Sequence, residues 1–420
     1  MPGQVLIMFM LCWGAGPIAG LIRGVALRLP IIKGLAPSVP LLLNVFFIIL
    51  SLPYLVKRIR SYDVFLYLVI FVLYILNYIL FPSNSTVLNE NAYFFLVTSI
   101  PFYFIGLSWD IDKLLQYAAI FSLVAILSTA TSLFLFEHVN ELKGEAMTSS
   151  HKLMPHVLMT IWCVFTQRKF RWLHVIGSVT GILLLLIFAN RMSLLSLITF
   201  TVSCLFFKSG KNEKYIKTKR IIGVLIIVLS FFFANYYIWL VENISSYFST
   251  TTRLLHYIYS SEEGILDSNG RYYLWSKAIY YIQQNPGGVG LGGDRLLINT
   301  WSHNLFIELL FSFGWLFGTI LSALIIWGIY AGFRYAKDSQ QRFFLLLLVC
   351  SGFLKLQFSG SFLNEHYLFF MIGYCVALYR GRPFSTRSQS QPATPDYTTN
   401  IIKANSFSNL SGMNLSISKD

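Results

Sequence analysis

Residues 304–331 read NLFIELLFSFGWLFGTILSALIIWGIYA, and Glu308 is the one charged side chain in the run. Lipid offers a backbone no hydrogen-bond partner, so a stretch of this length and composition is expected to be a helix crossing a hydrocarbon core of about 30 Å. The whole chain shares this character. Of its 420 residues 55% are hydrophobic and only 12% charged, and the mean hydropathy is +0.62. Comparable runs occur at 4–22, 38–55, 63–81, 91–108, 114–136, 153–166, 172–189, 193–207, 221–241, 343–361 and 367–380. With 304–331 they predict an all-α, polytopic integral membrane protein of about twelve transmembrane helices with one large outer loop. The runs at 153–166, 193–207 and 367–380 are short, which leaves a re-entrant or tilted path open.

Basic residues set the expected orientation. With the N-terminus inside, the short cytoplasmic loops at 57–60, 113, 168–171, 208–220 and 334–342 hold sixteen Lys and Arg, against six in the short outer loops. Both termini are therefore expected in the cytoplasm. The formal charge of +14 is explained by this bias and by anionic lipid, and nucleic acid is not an expected partner. The first apolar stretch lacks a basic leader and reads as a retained span. Cys12, Cys163, Cys204, Cys350 and Cys375 all fall within predicted spans without metal-ligand spacing, and read as small packing residues.

These signs divide the chain into spans one to nine (1–241), an outer loop (242–303), spans ten to twelve (304–380) and a cytoplasmic tail (381–420). The tail is rich in Ser, Thr, Asn and Gln and is expected to be disordered. Within the loop, 270–284 reads as an interfacial helix with Tyr272, Trp275, Ile279 and Ile282 on an apolar stripe. Asn285-Pro286-Gly287-Gly288 ends it, and Gly290, Gly292 and Gly293 predict a flexible turn towards Trp301-Ser302-His303-Asn304.

Four side chains stand out as candidates. Arg271 lies in the first turn of the interfacial helix, where a cation opposes the helix dipole; a bound anion, a lipid phosphate or Asp267 would each compensate it. Arg191 follows a tight outer turn, facing either lipid headgroups or a protein cavity. His303 is expected at the amino end of a long helix, whose dipole favours a neutral ring; it is a candidate base or a structural hydrogen-bonding residue. Lys355, inside the eleventh span with Glu365 and His366 beyond it, requires a polar cavity or an anion. Asp110 and Asp112 form an acidic pair on the cytoplasmic side, better read as ending a helix than as a metal site. The first outer loop, 23–37, holds no acid, which argues against a metal-using transferase.

The order Asn190-Arg191-Met192-Ser193, Asn269-Gly270-Arg271 with Leu274-Trp275, Asn285 to Gly292, and His303-Asn304 with Glu308, Gly314 and Gly318 resembles the O-antigen polymerase and O-antigen ligase superfamily. The matching motifs cover roughly 185–320. The resemblance implies a GT-C-like membrane fold and a metal-independent, inverting glycosyltransferase at the outer face of the bacterial inner membrane, with no cofactor. It implies an undecaprenyl-pyrophosphate-linked oligosaccharide as donor, Arg191 and Arg271 as pyrophosphate ligands, and His303 as general base; Lys355 remains a secondary substrate-binding candidate. Whether a chain-length regulator or a flippase binds the protein is left open by the sequence. Polymerisation of O-antigen or capsule repeat units is the leading expectation. The alternatives are ligation to lipid A core and, in a different class, a flippase or transporter. Asn190 stands where a small Ser or Gly is expected, which weakens the role of Arg191.

Overall fold

A computed structural model describes residues 59–108, 111–136, 146–166, 171–188, 191–206 and 271–381, with isolated positions before residue 59. The expected spans at 4–22 and 221–241, much of that at 38–55, most of the outer loop and the tail lie outside the described residues, as do Cys12 and Asp110. Among the described residues every regular element is helical and there is no strand.

The order begins with α1 (Ser61–Leu80), a 3₁₀ turn (Pro82–Asn84), α2 (Ser85–Ala92), a π-helical segment (Tyr93–Ser99) and α3 (Pro101–Ser108). Then come α4 (Ile111–Phe136), α5 (Ala146–Thr166), α6 (Arg171–Ile187) and α7 (Arg191–Phe206). After the undescribed stretch follow α8 (Arg271–Gln284), α9 (Gly293–Leu297) and α10 (Leu305–Tyr335). Last are α11 (Ser339–Leu348), which continues as a π-helical segment (Val349–Leu354), a 3₁₀ turn (Phe362–Asn364) and α12 (His366–Tyr379). The expected run at 91–108 is thus a succession of α, π and α turns. The run at 153–166 is longer than its hydropathy suggests, because the polar turn at 146–152 is also helical.

Among the described residues two helices, α1 and α10, are long and apolar enough to cross a membrane. The second is not one straight rod. Gly314 interrupts it with φ 75° and ψ −179°, a backbone state essentially confined to glycine. A Cβ on Gly318 would lie 2.7 Å from the Leu309 carbonyl, residues far apart on a continuous helix. The piece 305–313 therefore folds back on 315–335, correcting the expected single span 304–331. The remaining 315–335 is still about 30 Å long at 1.5 Å per residue.

One buried carboxylate ties the bundle together at one end. Asp63, 1% exposed, accepts from the Arg60 amide at 3.1 Å, from the Tyr103 hydroxyl at 3.2 Å and from the Arg380 guanidinium at 3.0 and 3.3 Å. A buried charge with its lone pairs so occupied is tolerable where an isolated one is not. This joint fixes the start of α1 to the end of α12. Helices α3 and α12 approach closely, so that a Cβ on Gly106 or Gly373 would collide with the backbone of the other helix. Small residues permit such approach. Cys163, Cys204, Cys350 and Cys375 are buried, as expected of packing residues.

Apolar side chains also point outward. Phe65, Ile79 and Leu80 on α1, and Leu316, Phe317 and Trp327 on 315–335, are among the exposed large residues, Leu316 at 67%.

Candidate functional site

The site is built where the segment after α8 meets the break in α10. Residues 286–290 run across Gly314 as a strap. Val289 N–H donates to the Phe311 carbonyl (2.9 Å), Gly290 N–H to the Ser312 carbonyl (3.1 Å), and Trp315 N–H to the Pro286 carbonyl (3.0 Å). Those carbonyls and that amide are groups a broken helix leaves without intrahelical partners. On its other side the strap is held by Asn84, which donates to the Val289 and Leu291 carbonyls at 2.9 and 3.1 Å. Asn77 Oδ1 accepts from Leu291 N–H at 2.9 Å. The expected flexible turn at Gly290, Gly292 and Gly293 is instead packed: Cβ atoms there would meet Phe81, Val87 and Val289 at 2.5 to 2.7 Å.

Helix α8 begins within a residue of the helix expected over 270–284 and ends where expected. Ala278 and Ile282 are buried and Trp275 half-buried, while Ile279, expected on the apolar stripe, is exposed.

His303 sits between two fixed residues and has φ 54°, uncommon for a non-glycine residue. Before it, Ser302 N–H donates to Asp294 Oδ2 at 2.9 Å, and the Ser302 carbonyl accepts from the Trp275 indole at 3.0 Å. After it, Asn304 caps the helix piece 305–313, its Oδ1 accepting from Phe306 and Ile307 amides at 3.0 and 3.1 Å. The Asn304 amide group also donates to the Gln357 carbonyl at 3.2 Å. Asp294 itself is 1% exposed. Burial pushes its carboxyl up to about 6, against the lowering effect of hydrogen bonds from Ser302 and Arg295.

A second set of polar groups continues from there. Buried Glu308, one turn past Asn304, accepts from the Ser361 hydroxyl and from Phe362 N–H at 3.1 Å. Lys355 forms an ion pair with Glu365, whose carboxylate also accepts from Tyr367 N–H at the start of α12. His151 Nε2 and Ser359 Oγ lie 3.1 Å apart, and Ser150 Oγ donates to Ser193 Oγ at 2.8 Å. These bonds gather the starts of α5, α7 and α12, the end of α11 and the 302–304 segment at one end of the bundle. Asp63 and Arg380 mark the other.

The four expected residues fall as follows. His303 occupies the strained position. Arg271 is the first residue of α8, one turn before Trp275 and on the same helical face. Arg191 is the first residue of α7, two positions before Ser193. The side chains of both arginines lie outside the described residues. Lys355 was expected to face a cavity or an anion; its ammonium meets Glu365. Asp294, Glu308 and His151 complete the arrangement and carry no sequence signal of their own, apart from Glu308 being the lone charge in its apolar run. Among the described residues no group of His, Cys, Asp and Glu is placed to hold a metal ion.

Compared with protein-family models, with curated proteins and with solved structures, the chain matches none.

Proposed function

We propose that the protein is a multi-pass bacterial inner-membrane enzyme of about twelve spans, with both termini cytoplasmic, that polymerises undecaprenyl-pyrophosphate-linked oligosaccharide repeat units. Its surface supports the membrane. Exposing large apolar side chains to water costs roughly 1.5–3 kcal/mol each, whereas lipid imposes no such cost. On α1 the outward residues are apolar and the one carboxylate, Asp63, is turned inward and fully bonded. Backbone broken at Gly314 is tolerable at membrane depth because protein covers it.

The observation that carries the enzymatic reading is His303, held at φ 54° by bonds to its two neighbours and joined through the Ser302 carbonyl to Trp275, one turn after Arg271 in α8. Strain maintained by surrounding bonds is characteristic of working residues. In the proposed reaction the acceptor hydroxyl oxygen forms a bond to the anomeric carbon of the donor. The carbon–oxygen bond to pyrophosphate breaks, its electron pair leaving on the pyrophosphate oxygen. His303 takes the hydroxyl proton as the new bond forms. The guanidiniums of Arg191 and Arg271 neutralise the departing charge, a task suited to their planar, bidentate donors. Attack opposite the leaving group inverts the anomeric centre.

Substitution in cells tests this reading. Arg271→Ala and His303→Ala are each expected to abolish polymer while the protein still inserts, and Arg271→Lys to rescue poorly. A deletion strain that caps lipid A with single repeats supports polymerisation. One that accumulates long free lipid-linked chains points to ligation instead. Full polymer from His303→Ala refutes the base assignment.

A further inference from the structure

The bonds around Ser302 assign a role to a residue outside the reacting set. We infer that Asp294 is a positioning residue for His303: its carboxylate and the Trp275 indole grip the backbone on either side of Ser302 and aim the imidazole that follows. The inference rests on reading His303 as the general base.

Two consecutive peptide planes enter His303, and each has its own clamp. The plane before Ser302 is held by its N–H donating to Asp294 Oδ2 at 2.9 Å. The plane between Ser302 and His303 is held by its carbonyl accepting from Trp275 Nε1 at 3.0 Å. With Asn304 fixed as a helix cap, His303 has little backbone freedom left and remains at φ 54°.

The clamp also explains why an acid occupies a buried position. Asp294 Oδ1 accepts a second backbone N–H, that of Arg295, at 2.9 Å, so both oxygens face donors. A carboxylate is acceptor-only at both atoms; an amide would turn its own N–H groups against one of the two donors. The clamp is anchored in turn. The Arg295 guanidinium donates to Glu90 at 2.6 Å and lies 5.3 Å from the centre of the Trp301 ring, tying α9 to α2. A catalytic group carried on so fixed a backbone loses rate when it shifts by about 1 Å, with on the order of 100-fold at stake.

The test uses the full-length protein in nanodiscs, as wild type, Asp294→Asn, Trp275→Phe and the double variant. It measures kcat and KM for a lipid-linked repeat unit, and amide exchange across residues 298–304. Asp294→Asn is expected to lower kcat by about 10- to 100-fold with KM little changed. Exchange should quicken at 302–304 and stay slow across 315–335. The double variant should lose less than the product of the single losses, because both clamps hold one segment. Unchanged kcat in Asp294→Asn, or a raised KM with kcat intact, overturns the inference. If the wild-type protein transfers no sugar, the general-base reading falls. Exchange at 302–304 then decides alone: faster exchange in Asp294→Asn upholds the clamp, and unchanged exchange removes it.

Discussion

Replacing Gly314 by alanine attacks the joint on which the site is assembled. Its φ of 75° and ψ of −179° cost a non-glycine residue about 1–3 kcal/mol. The added Cβ would collide with the Pro286 carbonyl and stand 2.5 Å from the Gly287 carbonyl carbon. Relieving that contact means lifting the strap, which carries the Val289–Phe311, Gly290–Ser312 and Trp315–Pro286 backbone bonds. At about 0.5–1.5 kcal/mol net for each bond, the total with backbone strain comes to roughly 2.5–7.5 kcal/mol. Gly328 is the internal control, since it lies on the same helix and a Cβ there meets nothing within 4 Å. Gly328→Ala should be no less stable than wild type, and up to about 1 kcal/mol more stable through helix propensity. Thermal unfolding in detergent, with amide exchange over residues 286–290, reads both variants. If Gly314→Ala unfolds and exchanges like Gly328→Ala, the strap does not stabilise the break and the architecture argued above is wrong.

His303→Asn should keep the backbone, because Asn tolerates a left-handed conformation, and lose about 100- to 10,000-fold in rate; an unchanged melting temperature with retained transfer would refute it. Lys355→Met leaves the Glu365 carboxylate buried without its cation and should destabilise by about 3–5 kcal/mol, with most of that recovered in Lys355→Met/Glu365→Gln. A raised KM in that folded double variant would show that Lys355 also contacts the donor; unchanged KM assigns it to structure alone. Stability should depend on pH through Asp294. Its folded pKa is raised from 3.8 to about 6, so the folded state binds the proton more tightly than the unfolded chain. Its contribution is therefore fully present below the lower value and is lost as pH rises through that window. Unfolding titrations should show this slope in wild type and a flatter one in Asp294→Asn.

Local signals in the sequence foretell local structure well. Helix α8 ends where Asn285-Pro286-Gly287 says it must, and begins within a residue of expectation, because caps and periodicity act over one turn. The fold-back at Gly314 is another matter. Hydropathy registers how apolar a run is but not its direction, so 304–331 reads the same straight or reversed. What holds the reversal is the strap at 286–290, a partner set by tertiary packing. The glycines at 290, 292 and 293 signal a loop, yet their small size serves close packing against Phe81, Val87 and Val289. Glu308 is conspicuous as a lone acid in an apolar run, while its partners Ser361 and Phe362 lie 53 and 54 residues away. Lys355 illustrates a nearer miss. A cation in an apolar run calls for compensation, and Glu365, ten residues on, supplies it where a bound anion was expected. The position of His303 before a helix start is legible from Asn304; its left-handed backbone follows from Asp294 and Trp275, which no periodicity links to it.

The proposed activity is sugar transfer from a lipid pyrophosphate without an energy source or a metal. The most direct measurement incubates the purified protein in nanodiscs with a radiolabelled undecaprenyl-pyrophosphate-linked repeat unit and a chelator, and resolves the products by size. The account predicts a ladder of lengthened lipid-linked chains with release of undecaprenyl pyrophosphate, absent in His303→Ala. Donor that remains unchanged, or a ladder that persists in His303→Ala, would contradict it.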